Sequence, residues 1–133
     1  MALRMAREHL EEMIAHARET FPMECCGLLA GRDGQVIRVY RGYNVDQSPY
    51  TYRLDDRQLL QFLREMDREG LEVVGIYHSH TSSEATPSRT DVARAFYPEA
   101  VYVIISLQQP DSPRVRGFRI VDGSVSEEDV IVQ

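Results

Sequence analysis

Apolar residues recur at intervals of three and four in two segments of the chain, and this spacing predicts two amphipathic helices. The first helix begins near Arg7 and ends before Pro22, and its apolar stripe comprises Leu10, Met13, Ile14 and Ala17. The second begins after Asp55 or Asp56, either of which is suited to cap it, and ends at Gly70. Its apolar stripe comprises Leu59, Leu60, Leu63 and Met66.

Short apolar or alternating runs between the helices predict β-strands, and Asp33-Gly34 is typical of a tight hairpin turn between two of them. The predicted strands cover residues 2–6, as a short edge strand, and residues 25–30, 36–41, 73–77, 101–106, 115–121 and 125–132. A third, short helix is predicted over residues 88–96. Strands and helices mix without regular alternation. We therefore expect an α/β fold in which a mixed sheet is sandwiched between helices, one on either face.

Composition and charge reduce the number of functions that the chain could have. The chain has 133 residues, of which 43% are hydrophobic and 27% charged, so we expect residues 1–133 to form one folded domain. A formal charge of −6 disfavours binding to nucleic acid or to an anionic membrane surface. All 15 basic side chains are arginines, which excludes a Schiff-base or P-loop lysine. Without a bilayer-spanning run, a secretory signal or a disulfide framework, the sequence predicts a cytoplasmic protein with reduced thiols.

The candidate chemistry follows the predicted strand over residues 73–77. His78 and His80 are two residues apart, so on a strand they project from one face and form half of a site for a divalent metal. Asp91 lies in the first turn of the next predicted helix, and the intervening loop is long enough to bring it back as a third ligand. Two imidazoles and one carboxylate leave a fourth position for water, which is typical of catalytic zinc. Zinc lowers the pKa of such a water molecule to roughly 7.

Each of these residues also has an ordinary structural explanation. A His-x-His pair by itself is weak evidence, and Ser88-x-x-Asp91 is also a helix capping box. Their joint occurrence in one short segment favours a metal site. The other two histidines, His9 and His16, fall in the first helix, where we expect them on the solvated face. Cys25 and Cys26 are expected to be buried as small hydrophobic residues.

The complete pattern resembles the signature of the JAMM (MPN-plus) metallopeptidase family: His78-x-His80, seven residues, Ser88, two residues and Asp91. That family also has a glutamate before the first core strand, and Glu24 occupies this place. The resemblance extends over essentially the whole chain in motif order and length. Within the family, the string around the histidines is most similar to the actinobacterial Mec-type peptidases. Those enzymes release cysteine from the C-terminus of a small ubiquitin-like sulfur carrier protein.

The resemblance implies a cytidine-deaminase-like architecture with a partly curved mixed sheet. It also implies one Zn²⁺ ion, held by His78, His80 and Asp91. Glu24 would be the general base that takes a proton from the zinc-bound water and later gives it to the leaving amine. Ser88 would donate a hydrogen bond to the developing oxyanion or to that water.

The implied partner is a ubiquitin-like sulfur carrier with a flexible C-terminal Gly-Gly tail. Such a tail must be held extended, and pairing it with a sheet edge is the simplest way to do so. The residues expected to line its groove lie in two polar loops and at the start of the third helix: Ser48, Tyr50, Tyr52, Thr81 and Arg89. Packing against the second helix is an equal alternative explanation for the two tyrosines. For Arg89 the alternative is an ordinary solvated charge.

Three other functions agree with part of the pattern. An isopeptidase that removes a ubiquitin-like modifier from lysine would use the same zinc and the same glutamate. A non-catalytic MPN scaffold usually lacks one of the ligands, whereas all are present here. A zinc deaminase needs His-x-Glu and Pro-Cys-x-x-Cys sequences, and this chain has neither. Nothing in the pattern indicates the oligomeric state or the cognate carrier.

Overall fold

The computed structural model describes residues 2–133, and their elements follow the predicted order. None of the helices in this part of the chain is long and apolar enough to cross a membrane. The elements are β1 (Ala2–Met5), α1 (Arg7–Thr20), β2 (Cys26–Arg32), β3 (Gln35–Arg41), α2 (Asp56–Glu69), β4 (Glu72–His80), α3 (Arg89–Ala93), β5 (Val101–Ser106), β6 (Arg114–Val121) and β7 (Ser124–Val132).

The strands form one mixed sheet that closes on itself in the order β1-β3-β2-β4-β5-β6-β7. β4 and β5 are parallel, and β1 runs parallel to both β3 and β7, so the expected mixed sheet of an α/β fold is confirmed. The prediction that β1 is an edge strand is wrong. β1 pairs with β7 along its whole length and with β3 through Arg4 and Gln35. This closure satisfies backbone groups that two open edges would leave unpaired.

The two long helices pack on opposite faces of the sheet, as predicted. The core on the α1 face includes Met13, Leu29 and Tyr77. The core on the α2 face includes Met66 and Ile76. Because successive side chains of a strand point to opposite faces, β4 contributes to both cores and is buried on both sides.

One position of the predicted α2 stripe lies elsewhere. Leu60 is 51% exposed, whereas Phe62 packs on the core with its ring centroid 4.8 Å from that of Tyr40. Residues four apart share a helix face, so Phe62 lies above Met66 while Leu60 turns towards solvent. The stripe is therefore rotated by part of a turn from its predicted position.

The helix ends follow local chemistry. Asp55 caps α2 by accepting a backbone hydrogen bond of 3.1 Å, and Gly70 ends it with a φ of 68°, as predicted. α3 ends several residues earlier than predicted. Beyond it, the N–H of Tyr97 donates to the hydroxyl of Tyr102 at 3.1 Å, and the proline that follows disfavours helical backbone at this point.

The first helix places one histidine differently from the prediction. His16 is 8% exposed, and its Nδ1 lies 2.7 Å from the hydroxyl of Tyr77 on β4. The expectation of a solvated His16 is wrong because this residue lies beside Ala17 on the face that packs against the sheet. His9 is half-buried at the first turn of α1, where its Nδ1 accepts a hydrogen bond of 3.3 Å from the N–H of Ala6.

Candidate metal centre and active site

Three side chains converge where β4 ends and α3 begins. His78 and His80 project from the same face of β4, and their Nε2 atoms are 3.2 Å apart. Oδ2 of Asp91, in the first turn of α3, lies 3.1 Å from Nε2 of His78 and 2.9 Å from Nε2 of His80. All three side chains are buried. The sequence-predicted ligand set is therefore together in one place, with one ligand atom from each residue facing a common centre.

The hydrogen-bonding pattern at this centre favours a bound cation, because acceptor atoms face one another there. Nδ1 of His80 lies 2.7 Å from the carbonyl oxygen of Glu84, which can only accept, so in the neutral ring this nitrogen carries the proton. Its Nε2 then presents a lone pair towards Asp91 Oδ2 and the other imidazole. A divalent ion placed between these acceptor atoms would be coordinated by them. Zinc–nitrogen distances of 2.0–2.1 Å in a tetrahedron imply ligand atoms about 3.3 Å apart, close to the separations found here.

Asp91 also caps its helix, so the structural explanation and the metal-ligand explanation are compatible. Its Oδ2 accepts a hydrogen bond of 2.9 Å from the N–H of Ser88, and its own N–H donates to Oγ of Ser88 at 3.0 Å. Burial by itself would raise the pKa of this carboxyl, but the two adjoining imidazoles and the N–H of Ser88 lower it well below its usual range. Asp91 therefore remains ionised, as a metal ligand must be.

Glu24 lies two residues before β2 and close to the same centre. It is only 2% exposed, and its Oε1 has no hydrogen-bond partner among residues 2–133. Burial raises the pKa of Glu24 to about 8; the neighbouring His80 opposes this shift and Asp91 adds to it. An ionisable group with a strongly shifted pKa and an unsatisfied oxygen is typical of an acid–base catalyst. A cation at the centre would favour its ionised form.

The residues next to the candidate ligands have structural roles. Ser79 points to the opposite face of β4, as expected, and its Oγ accepts a hydrogen bond of 2.8 Å from the N–H of Cys25. Cys26 pairs in register with His78 and therefore faces the site. Burial raises the pKa of the Cys26 thiol far above its usual range. Among the described residues, the ligand atoms that meet at the centre come from His78, His80 and Asp91 and not from Cys26. Both cysteines are free and buried.

Three of the predicted substrate-groove residues, Ser48, Tyr50 and Thr81, belong to loops that adjoin Glu24 and His80. Ser48 accepts a 2.9 Å hydrogen bond from the N–H of Glu24 through its carbonyl, and its Oγ accepts one of 3.0 Å from the N–H of Tyr50. Thr81 is buried, and its hydroxyl donates to the carbonyl of Pro49 at 3.1 Å. The hydroxyls of Ser48 and Thr81 thus hold in place the loop that contains residues 48–50. The ring of Tyr50 is 73% exposed.

The other two predicted groove residues differ in their surroundings. Tyr52 stacks on the imidazole of His78, with ring centroids 4.3 Å apart and ring planes inclined by 21°. Burial raises the pKa of Tyr52 well above its usual range, so its phenol is neutral. Arg89 is exposed at the first position of α3 and is not part of the metal centre. Of the five candidate side chains, that of Tyr52 makes a ring contact with a candidate metal ligand.

The sequence pattern missed Asn44, which organises the loop before α2. Asn44 is 6% exposed, and its Nδ2 donates to the carbonyls of Glu24 and Thr51, both at 3.0 Å. Its Oδ1 accepts from the N–H groups of Asp46 and Arg53, also both at 3.0 Å. All four hydrogen-bonding positions of the amide are therefore used. The only sequence signal is an asparagine at the start of a polar loop, which is typical of turns in general.

A cleft opens beside the metal centre, between α2 and the sheet. Its volume is about 800 Å³, and Tyr52 forms part of its wall next to His78. Most of its lining is apolar and includes Leu54, Leu59, Ile76, Phe96 and Tyr102. A cleft of this size accommodates an extended peptide of a few residues. Its connection to the metal centre is through Tyr52, which stacks on His78, and Cys26, which pairs in register with His78.

Comparisons with known proteins agree with this geometry. Residues 6–121 match the family described as prokaryotic homologs of the JAB domain. The chain is 47% identical over 122 residues to the CysO-cysteine peptidase of Mycobacterium tuberculosis, covering 90% of this chain and 84% of that protein. It is 36% identical over 111 residues to the desampylase of Haloferax volcanii, covering 78% and 80%. A solution structure from Desulfitobacterium hafniense has a TM-score of 0.89 and 40% identity, covering 98% of this chain and 92% of that one.

The match to the family model extends over most of the chain and includes every element from α1 to β6, together with Glu24 and the cluster at the end of β4. The chain therefore belongs to the prokaryotic JAB-domain group of the JAMM metallopeptidase family, with the CysO-cysteine peptidases among its relatives.

Proposed function

We propose that this protein is a zinc peptidase that hydrolyses the bond after the C-terminal Gly-Gly of a ubiquitin-like sulfur carrier, releasing cysteine. The observation that carries the proposal is the convergence of two imidazoles and a carboxylate beside a buried glutamate with an unpaired oxygen. The identity of 47% to a peptidase named for CysO-cysteine supports the choice of substrate. This substrate is proposed for the present chain by similarity.

His78, His80 and Asp91 would hold one zinc ion. When bound, the ion would polarise the scissile carbonyl and acidify a water molecule. Glu24 would take a proton from the attacking water on Oε1 and deliver it to the leaving nitrogen. The oxygen of the water forms the new bond to the carbonyl carbon, the carbon–nitrogen bond breaks, and free cysteine leaves with a neutral amine. Burial of the glutamate keeps bulk water away from this proton path.

Ser88 would stabilise the oxyanion that develops on the scissile carbonyl. Its Oγ already accepts the N–H of Asp91, so its hydroxyl hydrogen is free to be donated elsewhere. A side chain that is fixed at a helix N-cap makes such a donor preorganised, which is the property that favours catalysis.

The carrier tail would lie extended in the apolar cleft beside Tyr52. Glycines pass closely along a backbone wall because they have no side chain to clash with it. Tyr50 and Arg89 are exposed near the loops that border the site, and we propose that they contact the folded part of the carrier. Ser48 and Thr81 would act mainly by holding the loop that forms the wall.

A lysine isopeptidase is the second candidate. The observation in its favour is the identity of 36% to a desampylase and of 39% to a probable TtuB-protein conjugate cleaving protease of Thermus thermophilus. The metal and the glutamate would act in the same way on either bond, so the two functions differ in the leaving group. A non-catalytic scaffold is disfavoured because the whole ligand set converges.

The test uses Mycobacterium tuberculosis CysO with a C-terminal cysteine and, in parallel, CysO joined to the lysine side chain of a peptide. Products are weighed by mass spectrometry. We expect rapid release of cysteine and slower cleavage of the isopeptide. Cleavage of the isopeptide alone would refute the cysteine-releasing function and favour the second candidate. Cleavage of neither by zinc-loaded protein would refute the proposed function.

Glu24→Gln tests the mechanism. This substitution should retain zinc but lower kcat by at least roughly 100-fold, because the amide cannot accept the proton. Glu84→Gln is the matched control. It removes an exposed carboxylate that lies outside the proton path, and it keeps the backbone carbonyl of residue 84 that contacts His80. A Glu24→Gln variant with wild-type kcat would exclude this role.

A further inference from the structure

The two candidate histidine ligands are fixed in different ways. A histidine that binds a metal usually donates its other ring nitrogen to a carbonyl or carboxylate, which sets the orientation of the ring. His80 follows this rule through the carbonyl of Glu84, at 2.7 Å. His78 does not, since its Nδ1 is buried and has no hydrogen-bond partner in the described part of the chain. When Nε2 faces the metal, no hydrogen bond at Nδ1 sets the orientation of the His78 ring, so another contact must do so.

The ring of Tyr52 takes this place. It lies on the imidazole of His78 at a centroid distance of 4.3 Å and an inclination of 21°, which is a stacked arrangement. The second aromatic neighbour, His80, meets the same imidazole edge-on at 5.0 Å and 60°. An imidazole between a stacked phenol and an edge-on ring cannot rotate about its χ2 bond without losing these contacts.

The backbone on both sides of Tyr52 is itself held firmly. The amide of Asn44 binds the carbonyl of the residue before Tyr52 and the N–H of the residue after it, both at 3.0 Å. The carbonyl of Tyr52 accepts a hydrogen bond of 2.9 Å from Arg94, which also pairs with Asp46 at 2.8 Å. Arg94 follows directly after α3, whose first turn carries Asp91. The loop is thus tied to the helix that brings the third ligand.

We infer that Tyr52 is a positioning residue for the metal: its ring stacks on His78 and preorganises Nε2 for coordination in place of the missing hydrogen bond. This inference rests on the metal site of the proposed function. The phenol hydroxyl is not required, because the contact is made by the face of the ring. Removing the ring leaves His78 free to rotate, so that metal binding must first order it.

The experiment compares Tyr52→Leu with Tyr52→Phe, which keeps the ring and lacks only the hydroxyl. Tyr50→Leu is the matched control, because it makes the same change two residues away on an exposed side chain. Zn²⁺ affinity is measured by competition with a chromophoric chelator. The visible spectrum of the Co²⁺-loaded protein reports ligand geometry without any need for turnover.

We expect Tyr52→Leu to weaken Zn²⁺ binding by roughly 10- to 100-fold, the usual effect of losing the group that orients a ligating histidine. Its Co²⁺ spectrum should change in band position or intensity. Tyr52→Phe and Tyr50→Leu should keep the wild-type affinity and spectrum. Urea unfolding of the metal-free proteins checks that each variant is folded, and Tyr52→Met replaces the leucine variant if that one is not.

Wild-type affinity and spectrum in the ringless variant would overturn the inference. A loss in Tyr52→Phe as large as in Tyr52→Leu would also overturn it, since the hydroxyl would then be the active group. Both outcomes leave the proposed function intact. If the wild-type protein itself took up no Zn²⁺, the proposed metal site would fail first, so the two failures are distinguishable.

Discussion

Lowering the pH from 7 to 5 should destabilise the protein through His16. This imidazole is buried between α1 and β4, with its Nδ1 2.7 Å from the hydroxyl of Tyr77. Burial lowers the pKa of His16 from 6.5 to about 4; Arg41 acts in the same direction, and Glu19 opposes it. The unfolded chain therefore binds a proton that the folded chain excludes. Stability is fully present above pH 6.5 and is lost progressively as the pH falls towards 4.

The size of the effect follows from the two pKa values. At pH 5 the imidazole is almost fully protonated in the unfolded chain and mostly neutral in the folded chain. The linkage relation then gives a loss of at most about 2 kcal/mol in the free energy of unfolding. Because the side chain retains 8% of its exposure, we expect a loss of about 1 to 2 kcal/mol.

The assay is urea unfolding of wild-type protein and of His16→Gln at pH 7 and pH 5. Glutamine keeps an acceptor for the hydroxyl of Tyr77 but does not titrate. The difference between the two proteins isolates His16, because all other groups, including the metal centre, titrate in both. His9→Gln is the control, since it removes an imidazole from the same helix and leaves the contact with Tyr77 in place. Equal pH dependence in wild type and His16→Gln would refute the reasoning.

Three other substitutions or treatments have defined outcomes. Ser88→Ala should lower kcat roughly 100-fold through loss of the oxyanion donor, and lower the free energy of unfolding by about 1 kcal/mol through loss of the cap, as measured by kinetics and urea unfolding. Gly27→Ala should destabilise by at least about 1 to 3 kcal/mol, because its Cβ would lie 2.3 Å from the ring of Tyr77; an unchanged thermal midpoint would contradict this. Cys25 and Cys26 should resist iodoacetamide in native protein and react after denaturation, as followed by mass spectrometry.

The convergence of the candidate ligands could be predicted from the sequence because their geometry is local. Two residues on one strand face and a third in the first turn of the next helix are fixed by strand pleat and helix capping. Glu24 carries no such signal, since it lies far from His78 along the chain and meets the site only when β2 pairs with β4. Only the family resemblance identified it. Its burial and unpaired oxygen became visible in the structure.

The closure of the sheet and the role of the loop before α2 could not be predicted in the same way. β1 and β7 pair between the two ends of the chain, and no residue type specifies a partner at that distance. Asn44 and Tyr52 lie in a segment without periodicity. Their importance comes from contacts with Glu24 and His78, which hydrophobic patterning does not describe.

The four polar residues at 77–80 explain why hydrophobic patterning predicted a solvated His16, which is in fact buried. They also explain why the orientation of His78 depends on Tyr52. β4 is buried on both faces, so each of these side chains needs a partner. On the α1 face, Tyr77 is satisfied by His16 and Ser79 by a backbone N–H, which is why a histidine lies inside the first helix. On the α2 face, Nδ1 of His80 is paired with the backbone carbonyl of Glu84.

Only the Nδ1 of His78 lacks a partner among residues 77–80, and His78 is also the ligand covered by Tyr52. A fully hydrogen-bonded ring would be held without help from the loop. The missing bond therefore links the orientation of His78, and through it the affinity for the metal, to the loop that also holds the backbone of Glu24. A substrate that displaced this loop would disturb the candidate metal ligand and the candidate base together.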